Sequence, residues 1–419
     1  MPGHPSLPRL LIRRLPFFYG WVILATTCCA GFARAGGGVA VLSIFVAPMT
    51  AHFGWSRTAI SGAASVGGLI AALASPPLGR MLDRAGARLI LSAAVLTTAL
   101  ACMALSLTQS LAVFYLLYCV IRMNFAGPFD LGIYGAVNNW FVARRAFAIS
   151  IATLAQMVGL VALPLIAQVA MLHGGWRAGW LAVGAAVLTI GFVPNWLLMV
   201  RRPEDVGLAP DRRSMHDTPA AVRATEPVFS RAQALRTPSY WLLCLFALFA
   251  YPVQAGVSLH QAPYLIERGL STTVAAAIVS TFSLMSGVAS LGCGFVPRSM
   301  PSRYALALSG VALSGGTFVM VGVASALQGF IAAAMFGAGI GGLLTLLPIV
   351  FADYYGRSSY GAIRGIALSV QVLAQALGPL LSGFQRDRTG SYDLSLRCFI
   401  VLSCLSILAA LLAREPRQR

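Results

Sequence analysis

The sequence contains no lysine and very little charge. All 30 basic residues are arginine, and only 10% of the 419 residues are charged, against about 25% in ordinary soluble proteins. Because so few charges cannot cover the surface of a soluble domain of this length, most soluble enzyme classes are excluded. The apolar content of 58% and the mean hydropathy of +0.79 indicate a chain embedded in a lipid bilayer.

Further absences narrow the function. Without lysine there is no phosphate-binding G-x-x-x-x-G-K motif, so no ATP site is expected. The eight cysteines lie inside apolar runs without zinc-like spacing, so we expect no metal and no cofactor. The arginines lie between apolar runs and do not cluster on a soluble face, which argues against a nucleic-acid partner. The pattern Gly337-x-Gly339-x-x-Gly342 formally matches a dinucleotide fingerprint, but it lies inside an apolar run with no preceding strand.

Twelve apolar stretches are each long enough to form a spanning helix, which needs about 20 apolar residues. They lie near residues 18–46, 56–79, 89–108, 111–138, 146–172, 177–200, 239–266, 272–296, 303–324, 327–352, 362–385 and 393–413. The chain is therefore predicted to be an all-α membrane protein with twelve transmembrane helices.

The two halves of the chain look duplicated. Residues 140–164 and 354–379 both run from an aromatic pair through a basic loop into a helix with a late proline. We predict a six-helix bundle over residues 1–200, a linker over 201–238 and a second, pseudo-symmetric six-helix bundle over 239–419. Secondary transporters are built in this way, with their site between the halves near the membrane midplane.

The distribution of arginine predicts the orientation. Between the predicted spans or at their ends, 22 arginines lie on the side of the termini and the linker, and six lie on the other side. Because cytoplasmic loops carry the excess of basic residues, both termini and the linker are predicted to be cytoplasmic. The remaining two arginines, Arg34 and Arg122, lie within spans.

A glycine-rich motif follows the second span. It reads Gly79-Arg80-Met81-Leu82-Asp83-Arg84-Ala85-Gly86-Ala87-Arg88 and resembles the signature G-x-L-x-D-R-x-G-x-R of the major facilitator superfamily. The resemblance implies that this loop holds the two bundles together on the cytoplasmic side. A carboxylate such as that of Asp83 is favoured at a helix N-terminus by the helix dipole. We define the predicted cytoplasmic gate as Gly79, Asp83, Arg84, Gly86 and Arg88.

Two further phrases are similar to a bacterial branch of that superfamily which includes monocarboxylate and oxalate/formate carriers. They are residues 53–57, which read Phe-Gly-Trp-Ser-Arg, and residues 201–208, which read Arg-Arg-Pro-Glu-Asp-Val-Gly-Leu. The resemblance implies a transporter of the bacterial inner membrane, and we expect a monomer. Carriers of this branch often hold a basic residue in span 8, which here runs from Ala275 to Val296 without any charge.

Three charged residues lie within the predicted spans, where a charge costs about 2.5–3.5 kcal/mol or more and therefore tends to have a function. At ~1.5 Å per residue, Arg34 and Arg122 lie at similar depths, so together they could bind one carboxylate. Asp130 follows on the same span, roughly 12 Å further in by the same rise, and is the predicted proton site. Alternatively, Arg34 caps a helix break at residues 36–38, and Arg122 with Asp130 forms a structural charge network.

Polar side chains complete the predicted site. Gln254 on span 7 lies at the depth of the arginines, and Gln254 and Tyr134 are assigned to substrate binding with them. His260 lies nearer the outer surface, and because histidine titrates near neutral pH it could relay protons. It could equally be a packing residue. Gln261 follows it on the same span.

The leading hypothesis is a secondary transporter that takes up a small organic anion, a carboxylate, together with protons by alternating access. The alternative is an exporter or antiporter of an apolar or cationic compound driven by protons, with Asp130 as the cation or proton site. A third interpretation is a sensor that binds a ligand or partner without transporting. Two arginines in the cavity favour the anion, whereas a drug exporter should keep an unpaired acid there.

The orientation can be tested directly. A reporter enzyme that works only in the cytoplasm should be active when it is fused after Arg419, because the arginine bias predicts a cytoplasmic C-terminus. Activity of a periplasm-specific reporter at the same position would contradict the predicted topology.

Overall fold

The computed structural model describes residues 7–211, 227–295 and 300–416. The middle of the predicted linker and six of the arginines that were counted for orientation lie outside these residues: Arg212, Arg213, Arg223, Arg298, Arg417 and Arg419. The described residues form helices and contain no strand. The predicted all-α class is therefore confirmed.

The contacts divide the chain into two compact units. Unit 1 comprises Met1–Glu226 together with Arg357–Ile366, and unit 2 comprises Pro227–Gly356 together with Ala367–Arg419. This grouping assigns a ten-residue segment of the C-terminal half to unit 1. The domain boundaries inferred from the sequence stay a prediction.

The helices of unit 1 are mostly long and apolar. They are α1 (Leu7–Arg14), α2 (Gly20–Arg34), α3 (Val39–Phe53), α4 (Arg57–Ala85), α5 (Ala87–Leu105), α6 (Leu111–Ala126), α7 (Pro128–Trp140), α8 (Arg145–Ala186) and α9 (Val193–Leu198).

The described residues of unit 2 contain five complete long helices and most of a sixth. Its helices are α10 (Arg231–Leu235), α11 (Pro238–Glu267), α12 (Thr272–Cys293), α13 (Ser302–Met320), α14 (Ala326–Tyr355), the part of α15 (Tyr360–Thr389) from Ala367 onward, and α16 (Asp393–Leu412).

Ten helical segments among the described residues are long and apolar enough to cross a membrane. One of them, Arg145–Leu198, holds two of the twelve predicted spans, and the helix is interrupted there by the non-helical Gly174 and Gly175. The predicted span 303–324 corresponds to α13, which is not among the ten. Its 19 residues include Arg303, three serines and three glycines, which lower its hydropathy.

The glycine-rich motif was expected to be a loop, and this was wrong. Helix α4 continues to Ala85 and α5 begins at Ala87, so Gly86 alone connects them. Its φ of 82° lies in the region that glycine adopts without steric cost. The chain reverses so tightly that Asp83 and Arg84 lie in the last turn of α4.

Two breaks within predicted spans place charged residues at helix ends. A short 3₁₀ segment, Ala35–Gly37, follows α2, so Arg34 is the last residue of that helix. Gly127 separates α6 from α7, which begins at Pro128. Proline suits the first position of a helix because it has no N–H to leave unpaired. The sequence suggested that Asp130 lies on the same helix as Arg122. In the structure Asp130 lies instead in the first turn of a new helix.

In unit 2, glycines allow α12 and α14 to approach closely. A Cβ atom built on Gly341 would lie 2.1 Å from the carbonyl oxygen of Ser286, and one on Gly337 would lie 2.3 Å from that of Phe282. Small residues allow helices to pack backbone against backbone in membranes. These two positions therefore tolerate no side chain without a shift of the helices.

This packing predicts the effect of two glycine substitutions. Gly341→Ala should destabilise unit 2 by about 1–3 kcal/mol, the usual cost of overpacking. Gly292→Ala on α12, where a Cβ would meet nothing within 4 Å, should be neutral or slightly stabilising because alanine favours the helix. Thermal unfolding of the two purified variants checks this, and equal melting temperatures would contradict the packing argument.

Candidate functional site

Arg34 is the centre of a buried polar cluster in unit 1. Its Nε donates to the carbonyl oxygen of Phe125 at 2.9 Å, its Nη1 to Oε1 of Gln156 at 3.0 Å and its Nη2 to Oδ2 of Asp130 at 3.2 Å. The residue is only 7% exposed. Its guanidinium therefore joins the end of α2 to three other helices and does not cap the break at residues 36–38.

Asp130 lies between two arginines from different parts of the chain. Besides the ion pair with Arg34, its Oδ1 lies 3.6 Å from Nη2 of Arg364. Arg364 is 1% exposed and belongs to unit 1. Asp130 also occupies the first turn of α7, where the positive end of the helix dipole favours a carboxylate.

Arg122 contacts the same aromatic ring as Arg34. The two guanidinium carbons lie 4.6 Å and 4.9 Å from the centroid of the Phe125 ring, so they are at most about 10 Å apart. Nη1 of Arg122 donates to the carbonyl oxygen of Gly37 at 3.2 Å, and its Nε has no hydrogen-bond partner among the described residues. It is thus Arg122 that binds the buried backbone of the break after α2. No carboxylate of the described residues pairs with it.

Tyr134 lies one helical turn after Asp130 on α7, so the two side chains share a face of the helix. It is buried, and its hydroxyl lies 3.3 Å from Oγ1 of Thr153 on α8. The structure therefore brings four of the sequence-predicted residues into one unit: Arg34, Arg122, Asp130 and Tyr134.

The buried charges of the described residues are strongly unbalanced. Three arginines and one aspartate are buried, namely Arg34, Arg145, Arg364 and Asp130. Sequence analysis missed Arg145 and Arg364 because both lie near the ends of predicted spans, where arginine is ordinary. Only the packing of α8 and α15 shows that they are buried.

The two predicted residues of unit 2 make ordinary polar contacts. Oε1 of Gln254 accepts a hydrogen bond from Nε2 of Gln375 at 3.0 Å. Nε2 of His260 lies 3.4 Å from the carbonyl oxygen of Pro379, and its ring centroid lies 5.1 Å from that of Tyr392. Neither residue has a carboxylate partner within the described part of unit 2.

Unit 2 also contains buried polar atoms without hydrogen-bond partners among the described residues. They are both side-chain polar atoms of Gln261 and the hydroxyl of Ser286, in residues that are 1% and 2% exposed. Such unpartnered buried groups are rare and require an explanation, such as water or a ligand. Sequence analysis noted Gln261 beside His260, but the sequence could not show that its side chain is buried.

The predicted cytoplasmic gate binds the start of a helix. Oδ1 of Asp83 accepts a hydrogen bond from the backbone N–H of Gly361 at 2.8 Å, and Oδ2 accepts one from that of Ala362 at 2.7 Å. These are the second and third residues of α15, whose first N–H groups have no partner within the helix. The carboxylate thus caps α15 from the end of α4.

Glycines make this cap possible. A Cβ on Gly79 would lie 2.0 Å from the carbonyl oxygen of Gly361, and a Cβ on Gly361 would lie 2.3 Å from that of Gly79. The two helices therefore touch through their backbones. One turn further along α15, a Cβ on Gly365 would lie 2.6 Å from the carbonyl oxygen of Ser75. This contact runs along the whole first turn of α15.

The remaining gate residues have different surroundings. Gly86 lies against the side chain of Arg201, which donates to the backbone carbonyl of Asp83. The Arg88 guanidinium lies over the ring of Trp196, 5.0 Å from its centroid. Arg84 is exposed. Of the gate residues, Gly79 and Asp83 are therefore the ones in contact with α15.

Residues 23–379 match the family described as Major Facilitator Superfamily. The chain belongs to this superfamily of transporters. The family membership expected from the motif after span 2 is thus confirmed, and the chain is a multi-pass membrane protein.

Curated relatives of this superfamily member include transporters and a sensor. It is 26% identical to human Monocarboxylate transporter 11 over 397 residues, covering 90% of this chain and 79% of that protein. It is also 26% identical to the Membrane sensor protein UhpC of Salmonella typhimurium over 365 residues, covering 81% and 80%.

Solved structures share the fold at low sequence identity. The transporter FucP, crystallised in the outward conformation, superposes with a TM-score of 0.70 at 12% identity, covering 95% of this chain and all of that one. The human organic anion transporter MFSD10 superposes with a TM-score of 0.67 at 16% identity, covering 98% of this chain and 100% of that one. These superpositions confirm the fold.

The cap on α15 predicts a role for Asp83 in conformational cycling. Asp83→Asn keeps the side-chain size but removes the charge that the helix dipole favours, so it should slow transport at least several-fold. Substrate affinity should stay within about threefold, a difference under ~0.7 kcal/mol. Initial uptake rates and equilibrium binding check this, with the exposed Asp387→Asn as control. A tenfold loss of affinity would contradict the role.

Proposed function

We propose that this protein takes up a small organic anion, a carboxylate, together with protons by alternating access. The observation that carries the proposal is the charge of the cluster in unit 1. Arg34 and Arg364 share the single carboxylate of Asp130, and Arg122 has no carboxylate partner among the described residues. An anionic substrate would supply the missing negative charge, and each guanidinium can bind a carboxylate through two hydrogen bonds.

Arg34 and Arg122 are the proposed anion ligands. Both guanidiniums lie over the Phe125 ring, with their carbons at most about 10 Å apart. This is close enough for a small dicarboxylate to reach both and for a monocarboxylate to bind one and approach the other. The Nε of Arg122 has no partner among the described residues, so it has a donor available for a substrate. Tyr134 and, in unit 2, Gln254 are the proposed uncharged ligands.

Asp130 is the proposed proton site. In the structure its carboxylate balances part of the positive charge on Arg34 and Arg364. A substrate carboxylate arriving at Arg34 would bring a second negative charge to the same guanidinium. Protonation of Asp130 would remove the repulsion between the two carboxylates, so proton and anion would bind favourably together. His260 in unit 2 is proposed as a second proton carrier.

The curated relatives support the substrate class, because several are named monocarboxylate transporters. The arginine bias supports a location in the bacterial inner membrane with both termini in the cytoplasm. We further propose that the protein works as a monomer, with its site built from one chain.

The exporter or antiporter of apolar or cationic compounds is the weaker candidate. Such a protein needs an acid that is free to bind the cationic compound. Asp130 is instead held by two guanidiniums at 3.2 and 3.6 Å. A cation entering this cluster would meet an excess of positive charge.

A sensor without transport is the second candidate, because one relative is named a membrane sensor protein. The two functions differ in one measurement. The purified protein is reconstituted in liposomes with an imposed pH gradient and offered radiolabelled acetate, L-lactate, pyruvate, oxalate and succinate. Proton-driven accumulation of at least one of these supports the transporter, whereas saturable binding without accumulation supports the sensor.

The anion ligands can be tested by neutral substitution. Arg34→Gln and Arg122→Gln should each weaken binding of the transported carboxylate about 30-fold or more, because removing one partner of a buried charge pair typically costs 2–5 kcal/mol. Lysine at either position should restore binding only in part, since it lacks the planar fork of arginine. Ligand-induced thermal stabilisation of the purified variants measures the effect.

Arg397→Gln is the matched control, because Arg397 is an exposed arginine of unit 2. It should bind like the unmodified protein. If both Arg34→Gln and Arg122→Gln kept near-normal affinity for the carboxylate, the anion-binding role would be wrong and the exporter candidate would gain.

A further inference from the structure

The first turn of α15 is held by two carboxylates at once. Asp83 binds the backbone N–H groups of Gly361 and Ala362. One turn later, the side chain of Arg364 pairs with Asp130 at 3.6 Å. Both acids come from the N-terminal part of unit 1, whereas α15 continues from Ala367 into unit 2. The two contacts therefore help to attach the beginning of this helix to unit 1, together with the glycine packing on α4 and the ion pair of Arg357 with Glu204.

The two carboxylates differ in what they can respond to. Asp83 binds backbone atoms, so its contact depends only on where the helix lies. Asp130 binds a side chain and shares its charge between Arg34 on α2 and Arg364 on α15. Any change in the charge of Asp130 is therefore transmitted to two helices, one of which carries the proposed anion ligand.

We propose that Arg364 is a positioning residue that couples the charge on Asp130 to the attachment of α15. While Asp130 is ionised, Arg364 holds the first turn of α15 against unit 1. Neutralisation of Asp130 removes that attraction, whereas the Asp83 cap on Gly361 and Ala362 does not depend on it. This inference deepens the proposed function, because it gives the proton site a mechanical consequence at the cytoplasmic gate.

Several charged and polar groups surround the Asp130 carboxylate. Arg34 contacts it from α2 and Arg364 from α15. Tyr134 shares its helix and interacts with it electrostatically, as does Tyr360 at the start of α15. Arg145 at the start of α8 interacts electrostatically with Tyr360. Asp130 is the one acid in this set, so no second carboxylate among the described residues competes for the role.

Burial makes the pair effective. Arg364 is 1% exposed and Asp130 is 4% exposed, so the attraction between them is weakly screened by water and salt. A surface ion pair would contribute little to holding a helix. Removing one partner of a buried pair leaves the other charge uncompensated, which strongly disfavours the packed arrangement. The first turn of α15 should therefore detach more readily when either partner is neutralised.

Amide hydrogen exchange in the segment 360–366 tests the coupling. It is measured on the full-length protein in lipid nanodiscs without substrate, so the result does not depend on which compound is transported. Arg364→Gln and Asp130→Asn should each speed exchange of this segment about tenfold or more, because local opening exposes the amides that Asp83 protects. The double variant should exchange no faster than the faster single variant, since both changes remove the same interaction.

Arg34→Gln is the matched control. It removes the other arginine of Asp130, on α2, and should leave exchange of segment 360–366 within about threefold of the unmodified protein while weakening anion binding. Arg364→Lys keeps the positive charge and should restore much of the protection. It also serves as the folded reference if Arg364→Gln cannot be purified as a monodisperse protein.

Three outcomes would overturn the coupling. They are exchange in Asp130→Asn that matches the unmodified protein, exchange in Arg34→Gln that rises as much as in Arg364→Gln, or additive effects in the double variant. None of them bears on the substrate. Conversely, failure of every carboxylate in the liposome assay would overturn the proposed substrate class while leaving a positive exchange result standing.

Discussion

A buried charge in a membrane-spanning bundle requires an opposite charge, and Asp130 provides the only buried carboxylate among the described residues. Its ion pairs with Arg34 and Arg364 join α2, α7 and α15 within unit 1. Because desolvated charges that lose their partner are strongly unfavourable, this arrangement constrains where all three helices can lie. Arg122 has no carboxylate partner among the described residues, so its charge is available to an anion, and this is the physical basis of the proposed transport.

Interrupted helices create the places where these charges meet. The break after Arg34 and the break at Gly127 put a guanidinium at one helix end and a carboxylate in the first turn of another. Peptide groups at such ends lack partners within the helix, and here the carbonyl oxygens of Phe125 and Gly37 accept from arginines. The gate follows the same rule, since Asp83 completes the N-terminus of α15. In each case, backbone groups without a partner in their own helix form hydrogen bonds with charged side chains of other helices.

The sequence alone determined the class and the family. Its scarcity of charge and its apolar stretches required an all-α membrane protein, because backbone groups in lipid must be paired within helices. The motif from Gly79 to Arg88 identified the superfamily, and the burden of a charge in the bilayer singled out Arg34, Arg122 and Asp130. The inferences of class and family succeed because they depend on composition and local spacing, and the roles of the three charged residues stay proposals. The expected loop after α4 failed for a local reason as well, since one glycine suffices for that turn.

Only the tertiary structure decided which charges pair. Arg364 lies 234 positions after Asp130 in the chain. Its neighbours in sequence do not distinguish it from other arginines near the ends of predicted spans. From their depth along straight helices, Arg34 and Arg122 were predicted to have the same role. In the structure Arg34 pairs with Asp130, whereas Arg122 donates to the Gly37 carbonyl oxygen. Such pairings depend on the close approach of distant segments, which is set by packing of glycines such as Gly79 and Gly361. Sequence spacing carries no record of that approach, because it arises only when the helices assemble.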